Sequence, residues 1–149
     1  MASGGLGDVA GSLPKALRKR LVGCRVVMPL YGGIKQELRD RMQFITHITV
    51  PVSWRRQYCG IFEAKVDGVI FYFIDNEYYF KRDGIYGHYD DAERFAFFSR
   101  AVLEIIPYID FKPDVIHSND WQTALIPIYL KDDGVRDERY RSIRTVLSI

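Results

Sequence analysis

The sequence predicts an α/β fold in which helices cover both faces of a parallel sheet, the three-layer α/β/α arrangement of Rossmann type. Segments with helical spacing alternate with short strand-like runs, which is the order that produces a parallel sheet. One stretch, residues 44–74, instead holds three strand-like runs in succession. Asp67-Gly68 joins the last two runs and predicts a β-hairpin, because both residues tolerate positive φ. We therefore expect a parallel sheet that carries one hairpin insert.

The chain begins with a glycine-rich loop that leads into a helix. Gly4, Gly5 and Gly7 leave backbone N–H groups uncovered, and a following helix directs its first N–H groups to the same place, so the loop can hold an anion. An ordinary turn without a ligand is the alternative. Apolar side chains at every fourth position indicate a helix over residues 9–21, and because of Pro14 we expect either a kink there or a regular helix that starts only at Ser12 as N-cap. Such a loop normally follows a buried strand, so either this loop is free or its first strand is missing.

The next elements are short and are separated by turn-forming residues. Residues 25–28 form a strand-like run that Pro29 stops, and residues 34–41 have the pattern of a short helix. The apolar runs of the β-rich stretch predict three strands, at residues 44–52, 58–66 and 69–74. The last two of these form the expected hairpin.

An aromatic loop, residues 78–91, separates the hairpin from the next helix. Tyrosines on a glycine-containing loop can stack on sugar rings, although they can equally pack on the core or be covered by a partner. The apolar spacing of residues 92–106 predicts a helix, with Asp90 or Asp91 as its cap. Arg94 in the first turn is placed to pair with a carboxylate of the loop.

The segment DVIHSNDWQ has the pattern of a strand that runs directly into a helix. Ligand crevices of open parallel sheets lie at the carboxyl ends of strands, so His117 and Asp120 stand where binding residues are expected. Asp120 can equally serve as a helix cap, and a single histidine is often structural. We expect a helix over residues 121–130, a charged loop over residues 131–144 and a last buried strand over residues 145–149.

The composition is that of one globular domain. The chain has 149 residues, of which 48% are hydrophobic and 27% charged. Its net charge of +2, without a concentrated basic block, argues against a nucleic-acid partner. Cys24 and Cys59 have no metal-ligand spacing and favour a reduced, cytoplasmic protein. No apolar run is long enough to cross a membrane, so we expect no membrane partner.

Several kinds of chemistry find no support in the sequence. The three histidines are scattered, and neither CxxC nor HExxH occurs, so we expect no metal site. The nucleophile elbow GxSxG and the phosphate loop GxxxxGK[ST] are absent as well. The glycines do not spell GxGxxG, which makes a nicotinamide cofactor a weak hypothesis. We therefore expect no resident cofactor.

Four blocks of the chain together resemble the N-terminal domain of bacterial glycogen synthases and the related starch synthases. The blocks are SGGLGDVAGSLPKAL, RVVMPLYG, YDDAERFAFFSRAVLE and PDVIHSNDWQTALIPIYLK. Their order and spacing match that family across essentially all 149 residues. The resemblance implies part of a two-domain, B-type glycosyltransferase that transfers glucose from ADP-glucose to the nonreducing end of an α-1,4-glucan, with retention of configuration and without a metal.

The resemblance also implies substrate-binding roles for ten residues and assigns no catalytic residue to this chain. The residues are, for the donor phosphates and sugar, Gly4, Gly5, Gly7 and Asp8; for the crevice wall, Asp120, Trp121 and Gln122; and for the mouth of the active site, Tyr89, Asp90 and Arg94. Two positions depart from the family pattern. Ala2 stands where many members carry lysine, and Asp91 stands where asparagine is frequent.

The resemblance further implies that the chain, residues 1–149, is an incomplete N-terminal domain. The family's first strand would precede Met1, and the C-terminal domain would supply the basic residues that hold the diphosphate. The implied partners are ADP-glucose, a glycogen-like acceptor and that second domain, and we expect the isolated chain to be inactive. A non-catalytic glucan- or nucleotide-binding α/β module, or a related B-type glycosyltransferase with another donor, remains the alternative.

Overall fold

A computed structural model describes residues 23–119, 123 and 125–148 of the chain. The glycine-rich loop with its helix, and the crevice residues Asp120, Trp121 and Gln122, lie outside the described residues. The described residues form two compact units, one with residues 23–47 and 58–86 and the other with residues 48–57 and 87–148.

Six strands and five α-helices are found in the described ranges. In chain order they are β1 (Val26–Pro29), α1 (Gln36–Asp40), β2 (Gln43–Val52), β3 (Arg55–Val66), β4 (Val69–Asp75), α2 (Glu77–Phe80), α3 (Asp91–Glu104), β5 (Val115–Asn119), α4 (Ile126–Arg136), α5 (Glu138–Arg141) and β6 (Arg144–Ser148). A short 3₁₀ helix, Ile106–Tyr108, follows α3 and contains Pro107 near its start.

The first unit is built on a mixed sheet with the strand order β1-β4-β3-β2. Strands β3 and β4 pair antiparallel around a turn in which Asp67 and Gly68 have φ values of 49° and 80°. This confirms the predicted hairpin, because positive φ at both turn residues is the geometry that aspartate and glycine allow. Strand β4 also pairs in parallel with β1, from Val26 opposite Phe71 to Pro29 opposite Ile74. The hairpin is therefore joined directly to the parallel pair.

Apolar side chains on one face of this sheet form the core of the first unit. The buried members of the cluster are Leu30, Ile34, Ala64, Val69, Phe71 and Phe73. Because side chains of a strand alternate between its faces, Val69, Phe71 and Phe73 enter the same layer from β4. Leu38 packs against the cluster from α1 and holds that short helix on the sheet.

The second unit corrects the prediction of a charged loop at residues 131–144. The structure has helix α4 through Arg136, followed by α5. Two side chains of this segment contact α3. Asp133 is buried, and its Oδ1 lies 2.8 Å from Nη2 of Arg100. The buried Tyr140 hydroxyl donates a hydrogen bond of 3.0 Å to the Leu103 carbonyl. These partners are more than thirty residues away in sequence, so the local pattern does not reveal them.

Strands β5 and β6 form a parallel pair in the second unit, with Val115 opposite Arg144 and Asn119 opposite Ser148. The predicted last strand is confirmed, but the expectation that it is buried is wrong for its described side chains. Val146 is 49% exposed, and Arg144 is exposed. Two strands are too few to bury both faces of a sheet.

The α/β class is confirmed in both units. Across the described ranges, no helix combines the length and apolar character needed to cross a bilayer.

Candidate functional site

The predicted site residues that the structure describes come together at the start of α3. Tyr89 and Asp90 immediately precede this helix, and Arg94 lies in its first turn. The remaining predicted site residues lie outside the described residues; they are Gly4, Gly5, Gly7, Asp8, Asp120, Trp121 and Gln122. Tyr89, Asp90 and Arg94 are therefore the predicted site residues whose geometry the structure shows.

Asp91 fixes the backbone of the loop before α3. Its Oδ2 accepts a hydrogen bond from the Gly87 N–H at 2.8 Å, and its Oδ1 accepts one from the His88 N–H at 3.1 Å. Gly87 has a φ of 85°, a conformation that costs glycine little. Asp90 occupies the N-cap position but makes no side-chain cap hydrogen bond. Of the two predicted caps, Asp91 is therefore the one that binds backbone N–H groups, and these belong to the loop before the helix rather than to the helix itself.

Arg94 supports this loop from the interior. Its side chain is fully buried, and its Nη1 donates to Oδ1 of Asp91 at 2.8 Å. The prediction that Arg94 pairs with a loop carboxylate is therefore confirmed. A buried guanidinium needs such a partner, because an uncompensated buried charge is costly. Tyr89, by contrast, is 93% exposed and is the side chain of this cluster that a ligand can reach.

The contacts of Asp91 shift its ionisation. Burial opposes the charged form, but hydrogen bonds from the Gly87 N–H, the Arg94 guanidinium and the His88 N–H outweigh it and lower the pKa of Asp91. The carboxylate therefore stays charged at neutral pH, and the loop remains clamped. Asparagine at this position would keep an acceptor but would not supply the charge.

A second polar cluster lies where the parallel strands β1 and β4 end. The loop after β1 contacts α2: the Gly32 N–H donates to the Phe80 carbonyl at 3.0 Å, and the ring of Tyr31 meets that of Phe80 edge-on at 5.8 Å. A Cβ at Gly32 would lie 3.4 Å from backbone atoms of Lys81 and Arg82. Glycine thus permits the close approach of these two loops.

Ionisable side chains line the same strand ends. Arg39 donates to the Tyr31 carbonyl at 2.6 Å and to the Ile34 carbonyl at 3.1 Å. Burial, reinforced by the charge of Glu77, raises the pKa of Asp75 at the end of β4, while Arg39 acts in the opposite direction. None of the predicted site residues lies at these strand ends. The parallel pairing of β4 with β1 would have pointed to them, but a hairpin pattern alone does not predict that pairing.

The end of β5 carries the histidine that sequence analysis placed at the crevice. His117 is exposed, whereas its neighbour Ser118 is buried, and the Ser118 Oγ has no hydrogen-bond partner among the described residues. The hydroxyl of Thr123 donates a hydrogen bond of 3.0 Å to the carbonyl of Asn119, the last residue of β5. In the part of the chain that the structure describes, no group of three histidine, cysteine or carboxylate side chains is arranged to hold a metal ion.

Comparison with known proteins connects these features to one family. The family model described as the starch synthase catalytic domain matches residues 1–149. A glycogen synthase of Clostridium botulinum, strain Eklund 17B, is 59% identical over 148 residues, and one of Geobacillus stearothermophilus is 54% identical over 147 residues. The solved catalytic domain of starch synthase IV from Arabidopsis thaliana, bound to ADP and acarbose, superposes with a TM-score of 0.86 at 31% identity.

The matches cover nearly all of this chain but a minor part of each relative. They span 99% of this chain and 31% of the Clostridium protein, and 98% of this chain and 30% of the Arabidopsis structure. The chain thus spans about a third of the length of the proteins that it matches. The resemblance of the four sequence blocks is confirmed. Because the family model matches the whole chain, the chain belongs to the starch synthase catalytic domain family.

Proposed function

We propose that this chain is part of a retaining glycosyltransferase that transfers glucose from ADP-glucose to the nonreducing end of an α-1,4-glucan. The observation that carries the proposal is the match of all 149 residues to the starch synthase catalytic domain. Two further findings support it: the relatives at 54–59% identity are glycogen synthases, and the similar solved structure binds ADP and acarbose.

We further propose that the chain forms most of the N-terminal, Rossmann-like domain of a two-domain enzyme. The match covers 31% of a relative's length, which is less than half of a two-domain protein and fits one incomplete domain. Each unit contains one parallel strand pair, β1–β4 in the first and β5–β6 in the second, and parallel pairing is the kind that a Rossmann-like domain requires. In this proposal the first strand and the whole C-terminal domain lie outside the chain. We also propose a cytoplasmic setting, because two cysteines without metal-ligand spacing favour a reduced protein.

The donor side of the proposed site belongs to the glycine-rich loop. Backbone N–H groups of Gly4, Gly5 and Gly7 would bind the donor phosphates, with Asp8 beside the sugar. The departing ADP gains negative charge as the glycosidic bond breaks, and oriented N–H donors stabilise such charge. A basic clamp from the second domain would complete this stabilisation, with no metal or resident cofactor required.

The acceptor side belongs to the start of α3 and to the crevice after β5. Tyr89 is exposed on a loop that Asp91 clamps, so its ring is presented to a glucan without a large loss of loop entropy on binding. Asp90 is the neighbouring carboxylate, and Arg94 holds Asp91 from the interior. We propose that Asp120, Trp121 and Gln122 form the adjoining crevice wall.

Measurement of ADP release tests the proposal. The full-length protein, incubated with ADP-glucose and glycogen, is expected to release ADP and to lengthen the glucan. The isolated chain is expected to release none above a blank without protein, because the clamp is absent. Release with UDP-glucose but not with ADP-glucose would assign another donor, and the absence of release with either would overturn the proposal.

A further inference from the structure

Trp54 is an exposed aromatic residue for which the proposed site does not account. It lies between β2 and β3 at the tip of their hairpin, and 82% of its surface is accessible. Tryptophan is on average one of the more buried residues, so an indole with this exposure calls for an explanation. Trp54 and Tyr89 are the two most exposed of the large hydrophobic side chains in the described ranges.

The hairpin tip that carries Trp54 follows a buried part of β2. Val50 and Val52, just before the tip, are both buried. Ser53, immediately before the tryptophan, has a φ of 55°, in the left-handed region that non-glycine residues rarely adopt. The chain thus maintains an unfavourable turn conformation at this position, and the turn places Trp54 outside the core.

Arg55 and Glu93 orient the indole. The guanidinium of Arg55 lies over the Trp54 ring, with its central carbon 4.8 Å from the ring centroid. Its Nη1 also donates to Oε2 of Glu93 at 3.1 Å. One face of the indole is therefore covered by a guanidinium that is itself fixed to α3, and the high exposure leaves the other face to solvent.

The same turn of α3 anchors both exposed aromatic residues. Asp91 clamps the loop of Tyr89, and Glu93 binds the arginine that orients Trp54. These two positions lie about 3 Å apart along the helix axis and about 200° apart around it, so the two aromatic residues are anchored on different sides of the first turn of α3. All of these residues belong to the second unit.

We propose that Trp54 is a glucan-binding residue that extends the acceptor site beyond Tyr89. A glucose ring has apolar C–H faces and a rim of hydroxyl groups, so it pairs with a flat aromatic face that has hydrogen-bonding groups at its edge. Arg55, over the opposite face of the indole, and Glu93 are the polar groups next to the ring, and their opposite charges fit an uncharged polymer better than a polyanion. This inference rests on the proposed function, because that function supplies the glucan.

Calorimetric titration of the full-length protein with maltoheptaose tests the inference. Trp54→Ala is expected to raise the Kd by about 3- to 10-fold, the range of one aromatic contact. Trp54→Phe keeps a flat ring and is expected to bind close to wild type, whereas Trp54→Leu keeps apolar bulk without the ring and is expected to resemble alanine. Tyr108→Ala removes another exposed aromatic ring and serves as the matched control.

The outcomes separate this inference from the proposed function. If the wild type transfers glucose and Trp54→Ala binds maltoheptaose as the wild type does, Trp54 is not a glucan contact. If Trp54→Ala instead lowers the molar mass in sedimentation, the indole belongs to an interface between copies, and the inference is wrong. A wild type that binds maltoheptaose through Trp54 but transfers no glucose would overturn the proposed function alone. A wild type that binds no maltoheptaose overturns the inference.

Discussion

Replacement of Asp91 by asparagine is a sensitive test of how the loop before α3 is held. Asparagine can keep Oδ1 as acceptor for the His88 N–H and for Nη1 of Arg94. It places an amide NH₂ where Oδ2 now accepts from the Gly87 N–H, so two donors face each other. It also removes the charge that compensates the buried guanidinium.

The magnitude follows from the bonds that are lost. One hydrogen bond to a charged group contributes about 1.5–3 kcal/mol, so we expect Asp91→Asn to lower the free energy of unfolding by about 2 kcal/mol. Asp91→Ala removes all three acceptor contacts and leaves Arg94 buried without this carboxylate, which raises the cost to about 3–5 kcal/mol. With about 2–4 °C per kcal/mol for a domain of this size, Asp91→Asn should lower the melting temperature by about 4–8 °C.

Thermal unfolding of the full-length protein at several pH values provides the assay. The native pKa of Asp91 is lowered, so its contribution is fully present above the unfolded value of about 3.9 and is lost as the pH falls through the native pKa. The difference between wild type and Asp91→Asn should therefore narrow below about pH 4. Asp110→Asn, at an exposed position, is the control. Equal melting temperatures at pH 7, or a difference that persists in acid, would refute the clamp.

Two further substitutions test the packing that supports the site. Tyr140→Phe removes the hydroxyl that donates to the Leu103 carbonyl. Burial, with the charge of Glu104, raises the pKa of Tyr140 to about 12, so this donor persists at ordinary pH. We expect denaturant unfolding to show a free energy of unfolding lowered by about 1 kcal/mol, and an unchanged midpoint would be the contrary result. Gly60→Ala puts a Cβ 2.8 Å from the Tyr58 hydroxyl and 3.1 Å from Cβ of Asp75. We expect the same measurement to show a free energy of unfolding lowered by about 1–3 kcal/mol, because overpacking forces these side chains to shift. Wild-type stability would show that they move aside freely.

The elements that sequence predicts well are those with local causes. The Asp67-Gly68 hairpin follows from the φ values that two adjacent residues can adopt, and α3 follows from the spacing of its own apolar residues. The predicted helix over residues 121–130 covers only the start of α4. The rest of α4 and the whole of α5 depend on distant contacts with α3, such as Asp133 with Arg100 and Tyr140 with Leu103. A pattern of charges looks like a solvated loop unless these distant contacts are known.

The same distinction applies to the candidate site. The pairing of Arg94 with a loop carboxylate is predictable, because the two residues lie within one helical turn of each other. Trp54 gave no functional signal in the sequence, since its significance depends on exposure and on the contact between Arg55 and Glu93, which are 38 residues apart. The cluster at the ends of β1 and β4 likewise depends on a strand pairing that composition does not reveal.

Analysis of the products of the full-length protein tests the glucosyltransferase proposal most directly. After incubation with ADP-glucose and a maltooligosaccharide, we expect one ADP for each glucose added, and a new α-1,4 linkage at the nonreducing end in the proton NMR spectrum. A β-linkage would contradict retention of configuration. Glucan elongation without ADP, or ADP released together with free glucose and no elongation, would contradict transfer to a glucan.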